Sequence, residues 1–87
     1  MNATTSHAML RKYPLGSGWT LAPDGVNDRG THDWIVTSPG HLGTASLSAA
    51  SEYGVVCADN GRETKIPKPA MKELDRLEVK LAAEGLY

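Results

Sequence analysis

Pro69 to Leu86, PAMKELDRLEVKLAAEGL, carries the clearest period in the chain. Ala70, Leu74, Leu77 and Leu81 follow one another at steps of four, three and four, with Met71, Glu78 and Ala82 beside them. That spacing lines up one apolar stripe on one side of an α-helix. Pro69 suits the first helical position, where its missing N–H has no partner to lose, and Gly85 suits the position just past the end. At ~1.5 Å per residue the helix is roughly 24 Å long, enough to lie across a small sheet. A stripe this narrow must be buried, and the strands that precede it are what remains to bury it.

Working back from the helix, Val55–Asp59 and Arg62–Ile66 flank Asn60-Gly61, a strong hairpin signal. A two-residue type I′ turn there pairs Asp59 with Arg62, Cys57 with Thr64 and Val55 with Ile66, all six on one face. Thr44–Tyr53, TASLSAASEY, alternates apolar and polar residues like a strand, yet it is alanine-rich and lacks internal β-branched residues. With Thr44 as N-cap and Gly54 at the far end, the stretch is read as a short helix. Asp33–Ser38 is a strand, and the run Trp34-Ile35-Val36 predicts burial on both faces and a central place. Ser38-Pro39-Gly40 turns the chain. Trp19–Ala22 is another strand, ended by a turn at Pro23-Asp24-Gly25. Asp24–Asp33, DGVNDRGTHD, is the longest polar connection and is expected to expose its tip. Pro14 and Gly16-Ser17-Gly18 break what lies before them, and residues 1–12 form a weakly apolar arm. The expectation is a single α+β domain over residues 1–87: a small antiparallel sheet of three or four strands with the C-terminal helix packed on one face.

Composition narrows the function classes. The chain has 87 residues, 40% hydrophobic and 22% charged, and a net charge of −1, which argues against a general nucleic-acid binder. Its one cysteine, Cys57, forms no internal disulfide, and no apolar leader or membrane-length run is visible. A reducing cytoplasm is the expected setting, that of the host if the protein is viral.

Candidates for chemistry are thin. His7, His32, His41, Cys57, Asp28, Asp33 and Asp59 are suitable metal ligands, but no pair shows a compact ligand spacing. The loop at Asp24 fails as a calcium loop, with Arg29 where glycine is needed and Ile35 where a bidentate glutamate belongs. Ser38 has His32, Asp33 and His41 nearby in sequence, without a nucleophile-elbow motif. Cys57, between Val56 and Ala58, reads as a small core residue. No cofactor, no metal and no catalysis are expected.

Two charged surfaces remain. Lys72, Arg76 and Lys80 continue a basic row from Lys68, winding about 40° per step around the helix. Glu73 and Glu84 stand where they can neutralise Arg76 and Lys80. The opposing candidate is the loop, with Asp24, Asp28, Arg29, His32 and Asp33 next to Trp34. The leading expectation is a small non-catalytic protein-binding module, of the phage or mobile-element inhibitor or accessory type, docking a larger protein such as a host defence complex. The alternatives are a nucleic-acid-associated factor using the basic row and a self-assembling structural subunit of a virion. The loop is favoured as the contact, since long loops carry recognition more often than packed faces do.

Overall fold

The computed structural model describes residues 9–87. Six strands form one antiparallel sheet in sequence order: β1 Tyr13–Gly16, β2 Trp19–Val26, β3 His32–Thr37, β4 Thr44–Ser46, β5 Val55–Cys57 and β6 Glu63–Lys65. A short helix, α1 (Leu47–Tyr53), interrupts the meander between β4 and β5, and α2 (Lys68–Ala83) closes the chain. The architecture is α+β with a C-terminal helix on one face, and the sheet has six strands where three or four were expected.

The extra strands come from two places. β1 crosses Pro14, a residue expected to break the chain there; an edge strand tolerates a residue without an N–H. β4 is three residues taken from the front of the stretch read wholly as helix. Ser46, not Thr44, is the N-cap, its hydroxyl accepting from the Ala49 N–H at 3.2 Å. Thr44–Tyr53 is thus a strand and a helix in succession, and Gly54 ends the helix at φ 70° as expected.

β2 also runs past its predicted end. Pro23-Asp24-Gly25 is not a turn: the strand continues to Val26 with a register shift between Pro23 and Val26. Tyr13, the first residue of β1, pairs with Leu21, so Pro23 lies where one side of β2 is open. The connection to β3 shrinks from ten residues to Asn27–Thr31.

The faces of the sheet follow from the register. Tyr13, Leu21, Val36 and Ala45 form one row across β1 to β4, and Trp19 and Trp34 share their side. The helices cover this face, and Leu21, Val36, Val56 and Leu47 are almost inaccessible there. All four stripe residues of α2, Ala70, Leu74, Leu77 and Leu81, are buried in the same cluster. Each buried leucine contributes about 1.5–3 kcal/mol relative to exposure. The other face carries a second row, Pro14, Thr20, Thr37, Thr44, Cys57 and Glu63, one residue from each strand. On this side Ile35 is only half-buried, so β3, although central, is not buried on both faces. Cys57 belongs to this open row and is exposed, which corrects its reading as a core residue.

α2 ends as its sequence predicts. Gly85 has φ 76°, its N–H donates to the Ala82 carbonyl at 3.1 Å, and the Leu86 N–H donates to the Leu81 carbonyl at 2.9 Å. This is a Schellman closure, with the buried pair Leu81 and Leu86 as its apolar contact. Residues 9–12 of the expected arm lie against the body: Met9 and Leu10 pack on the core and the Tyr13 hydroxyl donates to the Met9 carbonyl. Residues 1–8 of that arm lie outside the described residues. No helix among the described residues is long and apolar enough to cross a membrane.

Candidate interaction surface

The loop favoured from sequence is organised by one side chain, Asn27, which is not among the charged candidates. Asn27 Oδ1 accepts from the backbone N–H of Arg29 at 3.0 Å and of Thr31 at 3.2 Å, and from the Thr31 hydroxyl at 3.1 Å. Its Nδ2 donates to Thr31 Oγ1 at 2.9 Å and to Asp33 Oδ1 at 3.2 Å. An asparagine opening an Asp-Arg-Gly-Thr loop is the signal that predicts such a closure. The connection is therefore a tight five-residue turn, which leaves Asp28 and Arg29 exposed at its tip.

At the foot of this turn lies an open groove of about 560 Å³. Arg29 comes from the turn, Asp33 and Trp34 from β3, Ser46, Leu47 and Ser48 from the start of α1, Ala82 from the end of α2, and Tyr87 from the tail. The tail is held there by its own backbone. The Leu86 carbonyl accepts from Trp34 Nε1 at 2.8 Å and from the His32 N–H at 3.2 Å. Trp34 is thereby fixed, 2% exposed, as part of the groove floor. Burial pushes the Tyr87 phenol above its ordinary range and Glu78 adds to the shift, while Ser48 and Arg29 pull it back. The groove thus sets a cation, a carboxylate and a phenol around the apolar atoms of Trp34, Leu47 and Ala82.

Of the predicted contact residues, Arg29, Asp33 and Trp34 meet in this groove. His32, half-buried at the start of β3, does not line it. Asp24 stands apart on the exposed end of β2, and Asp28 points to the same turn without lining the groove. Ser46, Ser48 and Tyr87 were not anticipated, because they arrive from distant parts of the chain.

The basic row is less continuous than its spacing implied. Arg76 makes a two-pronged contact with Glu73 on its own helix, Nε to Oε1 at 2.9 Å and Nη2 to Oε2 at 2.7 Å. That contact holds the Glu73 carboxyl below its ordinary range and raises the guanidinium. Lys72 and Lys80, the exposed cations on either side, are eight residues apart, about 12 Å along the axis. That separation exceeds the screening length of ~8 Å in physiological salt.

The candidates for chemistry disperse. Ser38 is buried, and its Oγ accepts from the Gly43 N–H at 2.8 Å, closing the β3–β4 loop. Among the described residues no three His, Cys, Asp or Glu side chains gather around a common point. His7 lies outside the described residues. A second, more apolar groove of about 450 Å³ runs beside Tyr53, Val55 and Cys57, near β6. Comparison with protein-family models, with curated proteins and with solved structures finds no match to this chain.

Proposed function

We propose that this chain is a small non-catalytic module that binds a larger protein, with the groove at the foot of the Asn27–Thr31 turn as its docking site. The observation that carries the reading is the convergence of Arg29 and Asp33, from one turn and the strand that follows it, with Tyr87 of the distant tail on one apolar floor. Opposite charges a few residues apart select orientation and partner more than they add affinity. The apolar floor supplies the area that is removed from water. The groove is open and shallow, which suits a segment of a protein better than an enclosed small molecule. Its walls are held by the Asn27 bonds and the Leu86 bridge, so little ordering entropy opposes docking. Inhibition of a host protein, or service to one, by a phage or mobile element is the use proposed for such a module. The basic row supports the nucleic-acid alternative less well, since Arg76 is already engaged by Glu73.

The test begins with an affinity pull-down that names the partner. A variant combining Arg29→Glu with Asp33→Lys leaves the net charge unchanged while reversing the groove's polarity. It is expected to lose binding, whereas Lys72→Glu with Arg76→Glu retains it. Binding lost only in the helix variant refutes the groove.

A further inference from the structure

The two edges of the sheet are finished differently. β1 is blunted: Pro14 has no N–H to offer, and the ladder shifts register between Pro14 and Gly16. β6 carries neither device. Its residues Glu63, Thr64 and Lys65 are all exposed, and among the described residues no strand lies beyond them.

Which backbone groups face outward at β6 follows from the bonds on its inner side. The Ala58 N–H donates to the Arg62 carbonyl at 2.8 Å, and the Ile66 N–H donates to the Gly54 carbonyl at 2.8 Å. Between them Val56 pairs with Thr64. Residues 62, 64 and 66 therefore turn their backbone groups toward β5. By the alternation of an antiparallel ladder, Glu63 and Lys65 turn theirs to the open edge.

We infer that β6 is a self-pairing edge that joins two copies of this chain antiparallel about a two-fold axis at Thr64. In that register Glu63 lies opposite Lys65 of the second copy, and Lys65 opposite its Glu63. These are the residues whose N–H and C=O groups turn to the edge, so each opposed pair exchanges two backbone hydrogen bonds, about four in all. The same register sets a carboxylate across from an ammonium twice, on the open face of the sheet where both side chains stand.

A glutamate and a lysine on an edge strand ordinarily discourage pairing. Against a foreign strand of arbitrary sequence they do so here. Against a second copy the alternation of sign around Thr64 is its own complement, as a two-fold contact requires. That complementarity selects the second copy over a foreign strand as the occupant. Joined this way, two six-stranded sheets become one continuous sheet, with its helices on one face and its uncovered threonine row doubled on the other. The inference stands independently of the groove at Asn27–Thr31, which lies away from this edge.

Sedimentation equilibrium of the full chain tests it, from low micromolar to near millimolar protein. The contact is short, so a weak monomer–dimer equilibrium is expected, weakened further by added salt. Glu63→Lys and Lys65→Glu each set like charges opposite one another and are expected to lower the association constant about tenfold. An equimolar mixture of the two variants restores it, because every opposed pair then has opposite signs. Both positions are exposed, and unchanged circular dichroism checks that the variants remain folded. A wild-type chain that stays monomeric throughout overturns the inference. So does a dimer that neither variant weakens, or a mixture that associates no better than its components.

Discussion

The turns that close β1–β2 and β5–β6 carry similar residues and fold differently. Ser17-Gly18 holds the tighter one: Gly16 pairs with Trp19, leaving two residues in the loop, with φ 54° at Ser17 and 87° at Gly18. Two successive positive φ values define the type I′ hairpin. Asn60-Gly61 has the sequence that favours that turn, but only Gly61 has positive φ, at 85°. Its loop holds three residues, Asp59 to Gly61, between Ala58 and Arg62. The Gly61 N–H closes a four-residue turn on the Ala58 carbonyl at 2.9 Å, and Asn60 Oδ1 accepts from the Arg62 N–H at 2.9 Å. The arrangement matches a type I turn followed by a left-handed glycine.

One added loop residue shifts the register of the second hairpin by one. Val55 then lies opposite Lys65, not Ile66, and Val56 opposite Thr64. A shift of one exchanges the faces of a strand. Val56 goes to the core, where it is fully buried, and Val55 and Cys57 go to the open face. Burial decides between the two turns. The two-residue register puts Val55 with Ile66 and leaves Val56 among charged residues. The three-residue register lets Val56 and Ile66 share the core side. A turn propensity worth a fraction of a kcal/mol yields to an apolar side chain worth about 1.5–3.

The largest expected difference between the turns lies at their glycines. At Gly18 a Cβ would meet the Pro39 ring at 3.1 Å, besides needing positive φ. At Gly61 it would meet nothing within 4 Å. Gly18→Ala is therefore expected to destabilise by about 2–3 kcal/mol, from left-handed strain plus crowding of a rigid ring. Gly61→Ala should cost about 1–2 kcal/mol, from strain alone. For a chain of this size each kcal/mol moves the melting temperature by roughly 4–8 °C. Equal melting shifts would mean that Pro39 moves aside freely and that the two turns are equally isolated.

Legibility in the sequence followed the length of the pattern. α2 offers four turns of one period and two terminal signals, and its buried stripe, its Gly85 closure and its place on the sheet were all readable. β4, β5 and β6 are three residues each, too short for alternation to outweigh composition. Ser46 shows the limit well. It ends a strand and caps a helix at once, so either single assignment of Thr44–Tyr53 was bound to lose part of it. In the candidate groove, Arg29 and Asp33 were readable as loop charges. Tyr87 and Ser48 were not, because what brings them there is the Leu86 carbonyl reaching Trp34, a bond across 52 residues.

The smallest and most discriminating prediction concerns the residue before each glycine, where the same substitution should act with opposite signs. Ser17 is held at φ 54°, which for a residue with a Cβ costs about 1–2 kcal/mol. Glycine there removes that strain and gives back about 0.5–1 kcal/mol as greater freedom of the unfolded chain. Ser17→Gly should therefore stabilise the protein by roughly 0.5 kcal/mol. Asn60 has no such strain to relieve, and its side chain accepts the Arg62 N–H. Asn60→Gly loses that exposed bond and adds unfolded-state freedom, for a destabilisation of about 0.5–1 kcal/mol. Urea unfolding of the two variants beside wild type measures both, since a change in midpoint at constant slope is a change in stability. If the two turns were the same type, both positions would need positive φ and both glycines would stabilise. Two shifts of the same sign would therefore erase the distinction between the hairpins, and with it the account of why Val56 and not Val55 faces the core.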